Sequence, residues 1–522
     1  MDMTSAAPVT TPLPDENVIT RHAGRDLRQA NPGQPSTVVV GGGLAGIATA
    51  LRLSAAGLPV TLVEGSRRLG GRATSFVDAK TNQVLDNCQH VLMGCCTNLR
   101  DLYRRLGVAG KIQWHRRLYF AGTDRRGRQV VDSMEADDLP APLHLTRSLL
   151  AFRTLTPGEK FSIARGMRAI LSLGPTQRRP WHDRSFDEWL SVHGQPRGAV
   201  EKFWSVVVVS ALNEWPQRVA ADYALQVFQD GFLGHEDAYV MGLPSVPLVQ
   251  LYDAAQQAIE AGGGEVLLGV GAEAFECAQG RVDALRLGDG RQLRAENYVS
   301  AVPFDRLLRL CPPQVQRLDA RLRGLDQIEV SPILGIHLWL AADDPGHPPM
   351  ALPHLILTHG PLQWIFNKGV KPLEASGLEA VTAEANGRAA QHLHGVISAA
   401  HDLVDEPSDR LVEQAVAALR EALPSARKAS LLHARVIKEK RATFSARPGI
   451  ESLRPAATGN VANLFLAGDY CRSGWPATME GAVRSGYLAA AAIMGDGGGK
   501  EDSIVPGLER GALVRLLGKG GS

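Results

Sequence analysis

The sequence predicts an α/β fold in which a doubly wound, mostly parallel domain is split along the chain. An α+β domain containing an antiparallel sheet is interleaved with it. Three observations predict this. A β-branched run, Thr37-Val38-Val39-Val40, leads straight into Gly41-Gly42-Gly43-Leu44-Ala45-Gly46. Near the far end, Leu464 to Ala467 is a second apolar run that closes on Gly468-Asp469. Between them, residues 328–341, 353–367 and 391–403 alternate apolar and polar. Short apolar runs read as buried parallel strands, and alternation reads as antiparallel sheet.

The length of 522 residues leaves room for two or three domains, or one large interleaved pair. Hydrophobic residues make up 44% and charged residues 21%, which suits an ordinary buried core. A net charge of +2 argues against nucleic acid as a partner, since that demands a strong basic excess. Residues 1–36 are rich in Thr, Pro, Asn and Asp and lack a continuous apolar stretch. They read as a disordered arm, not a signal peptide. No run of 18 apolar residues occurs, so nothing spans a membrane by itself. Cys88, Cys95, Cys96, Cys277, Cys311 and Cys471 form no CxxC pair and read as reduced thiols of a cytoplasmic enzyme. Cys88, Cys95 and Cys96 lack metal-ligand spacing, and no metal site is expected.

The first element is a strand–turn–helix–strand unit. After the strand at 37–40, Gly41 permits a tight turn, Gly43 a close backbone approach to a pyrophosphate, and Gly46 close packing of the helix. The helix reads from Ile47 to Ala56 and is closed by Gly57. Its first turn, with Leu44 and Ala45, presents free N–H groups and the positive dipole end to phosphate. Val60 to Val63 is the next strand, and Glu64 stands at its tip, 18 residues after Gly46. A carboxylate there can accept the hydroxyls of an adenosine ribose.

Arg67-Arg68-Leu69-Gly70-Gly71-Arg72-Ala73 follows directly. It resembles the second glycine motif of the amine oxidase and carotenoid desaturase flavoproteins. The resemblance implies FAD, with Gly70, Gly71 and Arg72 along its phosphates and ring. The short strands from Gly263 to Pro303 match the central segment of that superfamily, where the backbone at Ala272 would meet the adenine. Near the C-terminus, Asp469 ends a strand at the edge where open sheets bind ligands. A helix beginning near Met479, after Thr478 and running past Ala482, would aim its positive end at the flavin edge that turns anionic on reduction.

Three further stretches narrow the resemblance. They are Asp86-Asn87-Cys88-Gln89-His90-Val91-Leu92-Met93-Gly94, Ser331 to Leu340, and Arg441 to Val483 with Pro476-Ala477-Thr478-Met479-Glu480-Gly481-Ala482-Val483. Together, over roughly residues 37–495, they resemble hydroxysqualene dehydroxylase, the squalene-associated FAD-dependent desaturase. The family pattern has Gly where this chain has Cys88. The resemblance implies a discontinuous, Rossmann-like FAD-binding domain of the GR2 type over 37–115, 240–305 and 435–496. Residues 116–239 and 306–434 then form the substrate domain, and 497–522 a flexible or amphipathic tail.

The implied reaction is reduction of 12-hydroxysqualene to squalene, with water leaving from an allylic carbon that receives hydride from flavin N5. Its substrate is a long-chain isoprenoid, and an external electron donor must recharge the flavin. We expect His90 as proton donor, helped by Gln89 or Asp86, because imidazole titrates near neutrality. Trp339, Trp364 and Phe366 are candidates for an apolar lining, and His337 reads as a core histidine. A lipid substrate implies peripheral contact with the inner face of a membrane. Residues 145–173 and the tail Leu508 to Lys519 combine apolar and basic side chains in the required way. Phytoene or zeta-carotene desaturases share the Ala-Gly-Asp-Tyr and Met-Glu-Gly-Ala-Val pieces and are the first alternative. A flavin amine oxidase is the second, although no motif for its lysine–water contact at N5 stands out. A non-catalytic isoprenoid chaperone is the third, and the intact flavin motifs oppose it.

Overall fold

The computed structural model describes residues 25–27, 36–342, 347–373, 376, 378, 389–495 and 503–517. A five-stranded sheet takes its strands from widely separated stretches, in the order Glu265–Leu268, Val60–Glu64, Thr37–Val40, Asn297–Ser300, Leu464–Leu466. Every pairing in it is parallel. The three central strands are buried along almost their whole length, which is why they read as unbroken apolar runs. Helix Leu44–Ala55 crosses Met479–Met494, and Thr49 Oγ1 donates to the carbonyls of Ala45 at 2.8 Å and Gly486 at 3.1 Å. One hydroxyl thus ties two helices far apart in sequence.

A seven-stranded sheet runs in the order Leu431–Phe444, Val330–Ala342, Ala389–Ile397, Trp364–Pro372, His354–Leu357, Leu118–Thr123, Gln129–Met134. It is antiparallel except where His354–Leu357 meets Leu118–Thr123. One face carries Leu334, Ile336, Leu338, Leu340, Leu355, Ile365, Leu393 and Ile397 against Leu411, Ala415 and Leu419 of helix Ser408–Ala422. The other carries His337, Trp339, His354, Trp364, Phe366, His392 and His394 on neighbouring strands, with Lys368 following Phe366 at a bulge in its strand.

Short helices between the sheets share an aromatic core. Phe186, Trp189, Phe203, Trp204 and Phe228 pack edge-on or stacked at centroid separations of 4.8 to 6.3 Å. Each such pair contributes about 0.5–1.5 kcal/mol beyond its buried area. Helix Pro157–Leu171 begins with a capping box, Thr156 accepting from the Glu159 N–H and Glu159 from the Thr156 N–H.

Three expected boundaries move. Within the proposed arm, Arg25–Asp26 pairs in parallel with Leu293 and Arg294, and Leu27 is buried. The rest of the arm, 1–24 and 28–35, lies outside the described residues. Strand Leu431–Phe444 pairs along its length with Val330–Ala342, so the break expected at 435 cuts a strand and belongs after Phe444. That strand is rich in charge and half-exposed, which hid its alternation. In the tail, the backbone of Val505 pairs with Asn98, Ile504 and Val514 are buried, and the Gly511 N–H donates to Gly234. Residues 503–517 are therefore packed onto the body, while 496–502 and 518–522 are outside the described set. Among the described residues, no helix is long and apolar enough to cross a membrane.

Candidate active site

The site forms where the carboxyl ends of the parallel strands face the histidine-bearing side of the seven-stranded sheet. In the glycine turn, a Cβ on Gly46 would lie 1.8 Å from the Gly41 carbonyl oxygen, so any side chain there breaks the turn. Gly43 bridges Gly70, and a Cβ on Gly71 would lie 3.0 Å from the Gly43 Cα. Both glycine motifs thus form one bare backbone cradle, shaped for a group that approaches the main chain. Leu44 and Ala45 begin the helix above it. Glu64 sits at the rim, accepting from Gly42 N–H at 2.6 Å and Ser66 N–H at 2.7 Å. Ala272 begins its strand beside this rim, because Val270 and Gly269 donate to the carbonyls of Glu64 and Ser66.

From the other end of the chain, Gly468 and Asp469 arrive beyond strand Leu464–Leu466, and the Gly468 N–H donates to Ser485 Oγ at 2.8 Å. Arg72 Nη2 meets Asp469 Oδ1 at 2.6 Å across 397 residues of sequence. The second guanidinium nitrogen donates to Ala442 of the seven-stranded sheet at 2.8 Å. The Asp469 carboxylate pushes the Arg72 pKa above its ordinary value. The Arg72 side chain still keeps 38% of its surface, so it remains open to a ligand. Thr478 caps helix Met479–Met494, accepting from the Gly481 N–H at 3.0 Å. Met479 and Ala482 are half-buried on its first turn.

The Asp86–His90 segment lies between Arg72 and the histidine face. Asn87 donates to the Arg72 carbonyl at 2.6 Å, and His337 Nε2 donates to the Asp86 carbonyl at 3.0 Å. His90 Nδ1 lies 3.0 Å from the Cys88 carbonyl, which only accepts, so the ring proton sits on Nδ1. Burial lowers the His90 pKa, and the nearby Arg72 charge lowers it further against the opposing effects of Cys88 and Asp86. A neutral ring with that tautomer offers Nε2 as an acceptor. Asp86 is likewise occupied: Oδ1 accepts from Ser75 at 2.8 Å and from Leu248 N–H at 2.9 Å. Burial pushes the Cys88 thiol up to about 12, so it is an inert core group.

Two residues escaped sequence reasoning. Lys368 Nζ lies 3.1 Å from Gln89 Oε1 and 3.3 Å from Asp86 Oδ2. Its signal was the alternation Trp364, Phe366, Lys368, which places all three on one strand face. Arg454 is fully buried and donates to the carbonyls of Asp469, Cys471 and Trp475 and to the Tyr223 hydroxyl. It gathers the loop that carries Asp469, a role that its place in the Arg441 to Val483 stretch did not reveal.

His337, His392 and His394 stand together beneath this segment. His337 stacks on His394 at 3.9 Å, and its Nδ1 accepts from His392 Nε2 at 2.9 Å. Burial pushes the His337 pKa down to about 4 and those of His392 and His394 well below the usual range. Among the described residues, neither ring nitrogen of His394 or of His354 has a hydrogen-bond partner.

The fold is shared with solved oxidoreductases. A putrescine oxidase aligns with a TM-score of 0.64 at 16% identity, covering 88% of this chain and 99% of that one. An oxidoreductase from Methanosarcina mazei aligns with a TM-score of 0.63, also at 16% identity, over 88% and 100%. In sequence, a 15-cis-phytoene desaturase from Synechococcus elongatus is 25% identical over 470 residues, 87% of this chain and 95% of that protein. A hydroxysqualene dehydroxylase from Rhodopseudomonas palustris is 27% identical over 467 residues, 88% and 98% respectively. The glycine cradle and the Arg72–Asp469 pair fit FAD, and the chain is an FAD-dependent oxidoreductase. Residues 44–494 match the family of flavin containing amine oxidoreductases, and the chain belongs to that family.

Proposed function

We propose that this protein reduces 12-hydroxysqualene to squalene, removing an allylic hydroxyl as water. The observation that carries the reading is the polar cluster of Asp86, Gln89, His90 and Lys368 set at the end of an aromatic strip, Trp364 and Phe366. A substrate with a hydrocarbon body and one oxygen matches that lining. A hydrocarbon without a heteroatom leaves the charged end without a task. The relative named hydroxysqualene dehydroxylase supports the reading through its extensive coverage.

In this reading Gly41, Gly43, Leu44, Ala45, Gly46, Glu64, Gly70, Gly71, Arg72, Ala272, Gly468, Asp469, Thr478, Met479 and Ala482 hold the cofactor. They belong to an FAD-binding domain of residues 37–115, 240–305 and 445–496, the last range redrawn at Phe444. Residues 116–239 and 306–444 hold the substrate. Bound FAD, when reduced, supplies a hydride to the allylic carbon. The aromatic rings exclude water from the carbon that loses its oxygen and face the positive charge that develops there. An external electron donor completes the cycle.

Lipid-borne substrate suits a peripheral membrane contact. Phe161, Leu150 and Leu516 are 71%, 63% and 80% exposed, with Arg147, Lys160, Arg168 and Arg515 nearby in sequence. Flotation on anionic liposomes should be lost in a Phe161→Ser/Leu516→Ser variant, and equal flotation of both proteins removes the contact from the reading. A truncation from residue 505 is a poorer probe, because it also cuts the Val505–Asn98 pairing.

The main test is anaerobic incubation of chemically reduced enzyme with 12-hydroxysqualene, phytoene or an amine, with products identified by mass spectrometry. Squalene with stoichiometric flavin oxidation is the expected result. Desaturation of phytoene by the oxidised enzyme, with the alcohol untouched, overturns the proposal.

A further inference from the structure

We propose that Lys368 is the acid that protonates the departing hydroxyl, with Asp86 and Gln89 as its positioning residues. This rests on the dehydroxylation reading above and assigns its proton. The geometry begins with strand Trp364–Pro372. Trp364 and Phe366 stack with ring centroids 5.3 Å apart and planes 2° from parallel. Lys368 is next on the same face, so a flat apolar strip ends on an ammonium group. The side chain keeps 22% of its surface. Its Nζ donates to Gln89 Oε1 at 3.1 Å and to Asp86 Oδ2 at 3.3 Å. Among the described residues its third N–H has no partner. Asp86 is itself anchored by Ser75 and the Leu248 N–H, so the carboxylate fixes the ammonium from a rigid base.

The other polar groups on this face are poorly suited to the role. The His90 proton is directed at the Cys88 carbonyl, and the ring is held neutral. His337 and His392 are hydrogen-bonded to each other and held neutral, and burial opposes charge on His394. Arg72 is bound to Asp469 and Ala442, and a guanidinium does not give up its proton. Lys368 therefore combines a transferable proton, a fixed position and an adjoining apolar surface.

The C–O bond breaks and its electron pair leaves on oxygen. That oxygen takes a proton from Nζ and departs as water. The allylic carbon gains a hydride from reduced flavin, which is thereby oxidised by two electrons, and the neutral Lys368 amine regains a proton from solvent. The net change is loss of OH and gain of H at one carbon, with one proton and one hydride consumed.

Two variants and a rescue test the assignment. Lys368→Met and Lys368→Arg are each reduced anaerobically and mixed with 12-hydroxysqualene, following flavin reoxidation and squalene. Lys368→Met should retain wild-type flavin content and a KM within about threefold, while kcat falls roughly 10²- to 10⁴-fold, the span expected for a lost general acid. Lys368→Arg, which keeps the charge but not the transferable proton, should be as slow. Added methylamine or ethylamine should restore part of the Lys368→Met rate in proportion to concentration. Turnover of Lys368→Met within threefold of wild type overturns the proposal, as does full activity in Lys368→Arg. If wild-type enzyme leaves the alcohol intact, the dehydroxylation reading falls and this assignment falls with it, an outcome distinct from a failure of the variants alone.

Discussion

The two faces of the seven-stranded sheet use the same strands and nearly the same burial, yet they are chemically opposite. Leu334, Ile336, Leu338 and Leu340 alternate along one strand with Gly335, His337, Trp339 and Ala341. The first set packs against helix Ser408–Ala422. The second joins His392, His394, Trp364 and Phe366. Leu334, Ile336, Leu338 and Leu340 are buried, and so are His337, Trp339, His394 and Phe366, while His392 and Trp364 are half-buried. Burial therefore does not dictate this composition. A buried polar group without a partner costs about 1–3 kcal/mol, so the histidine face is the worse solution for stability. Its position beside Asp86–His90 and Arg72 shows where the compensating value lies: this is the side of the sheet that meets the site.

The largest expected effect is an acid lability to which the histidine face contributes strongly. Burial lowers the pKa of His337 and His354 to about 4. An unfolded histidine titrates near 6.5, so between these values the unfolded chain binds more protons and stability falls as pH drops. Above about pH 6.5 the contribution is complete. From there to pH 5 these two rings together remove on the order of 4 kcal/mol. Denaturant midpoints of the flavin-loaded protein should fall steeply over that window, with His392 and His394 adding to the fall, and His354→Leu should flatten the slope in part. A midpoint indifferent to pH from 7 to 5 would erase the contrast between the faces.

The aliphatic face should respond to truncation and not to pH. Leu338→Ala removes a side chain 1% exposed in the centre of that cluster. A loss of about 2–5 kcal/mol is expected, with flavin content and turnover per folded molecule unchanged. A turnover defect larger than the stability defect would mean that this face also serves the site. Measuring both quantities on the same preparation separates the two.

Much of the nucleotide end was legible because its signals are local. A strand, three glycines and a terminal acid carry their meaning within a window of about thirty residues. The meeting of Arg72 with Asp469 was legible only in part: each motif pointed to flavin, but an ion pair across 397 residues is a product of strand order. The histidine face was legible as alternation and illegible as chemistry. Lys368 gains its meaning from side-chain contacts with Gln89 and Asp86, 279 and 282 residues away in sequence. The His90 tautomer is set by a backbone carbonyl, which no side-chain pattern encodes. Strand Leu431–Phe444 was misdivided because its half-exposed positions carry Arg435, Lys438, Glu439, Lys440 and Arg441, which mask the period of two.

The smallest effect on stability is expected at the most unusual residue of the face. His394 is fully buried, both ring nitrogens lack partners among the described residues, and it stacks on His337 at 3.9 Å. Replacing an unsatisfied buried polar group with an apolar side chain of similar size is near neutral or stabilising, because the desolvation cost disappears with the group. His394→Leu should therefore shift the denaturation midpoint by less than about 1 kcal/mol at pH 7.5, and toward greater stability. If the ring were kept for folding, the same change would cost about 1–3 kcal/mol. The two outcomes have opposite signs. A stabilised His394→Leu with a raised KM for the isoprenoid substrate would locate the reason for this histidine in ligand recognition, since the aliphatic face shows that the same strands can be filled without it.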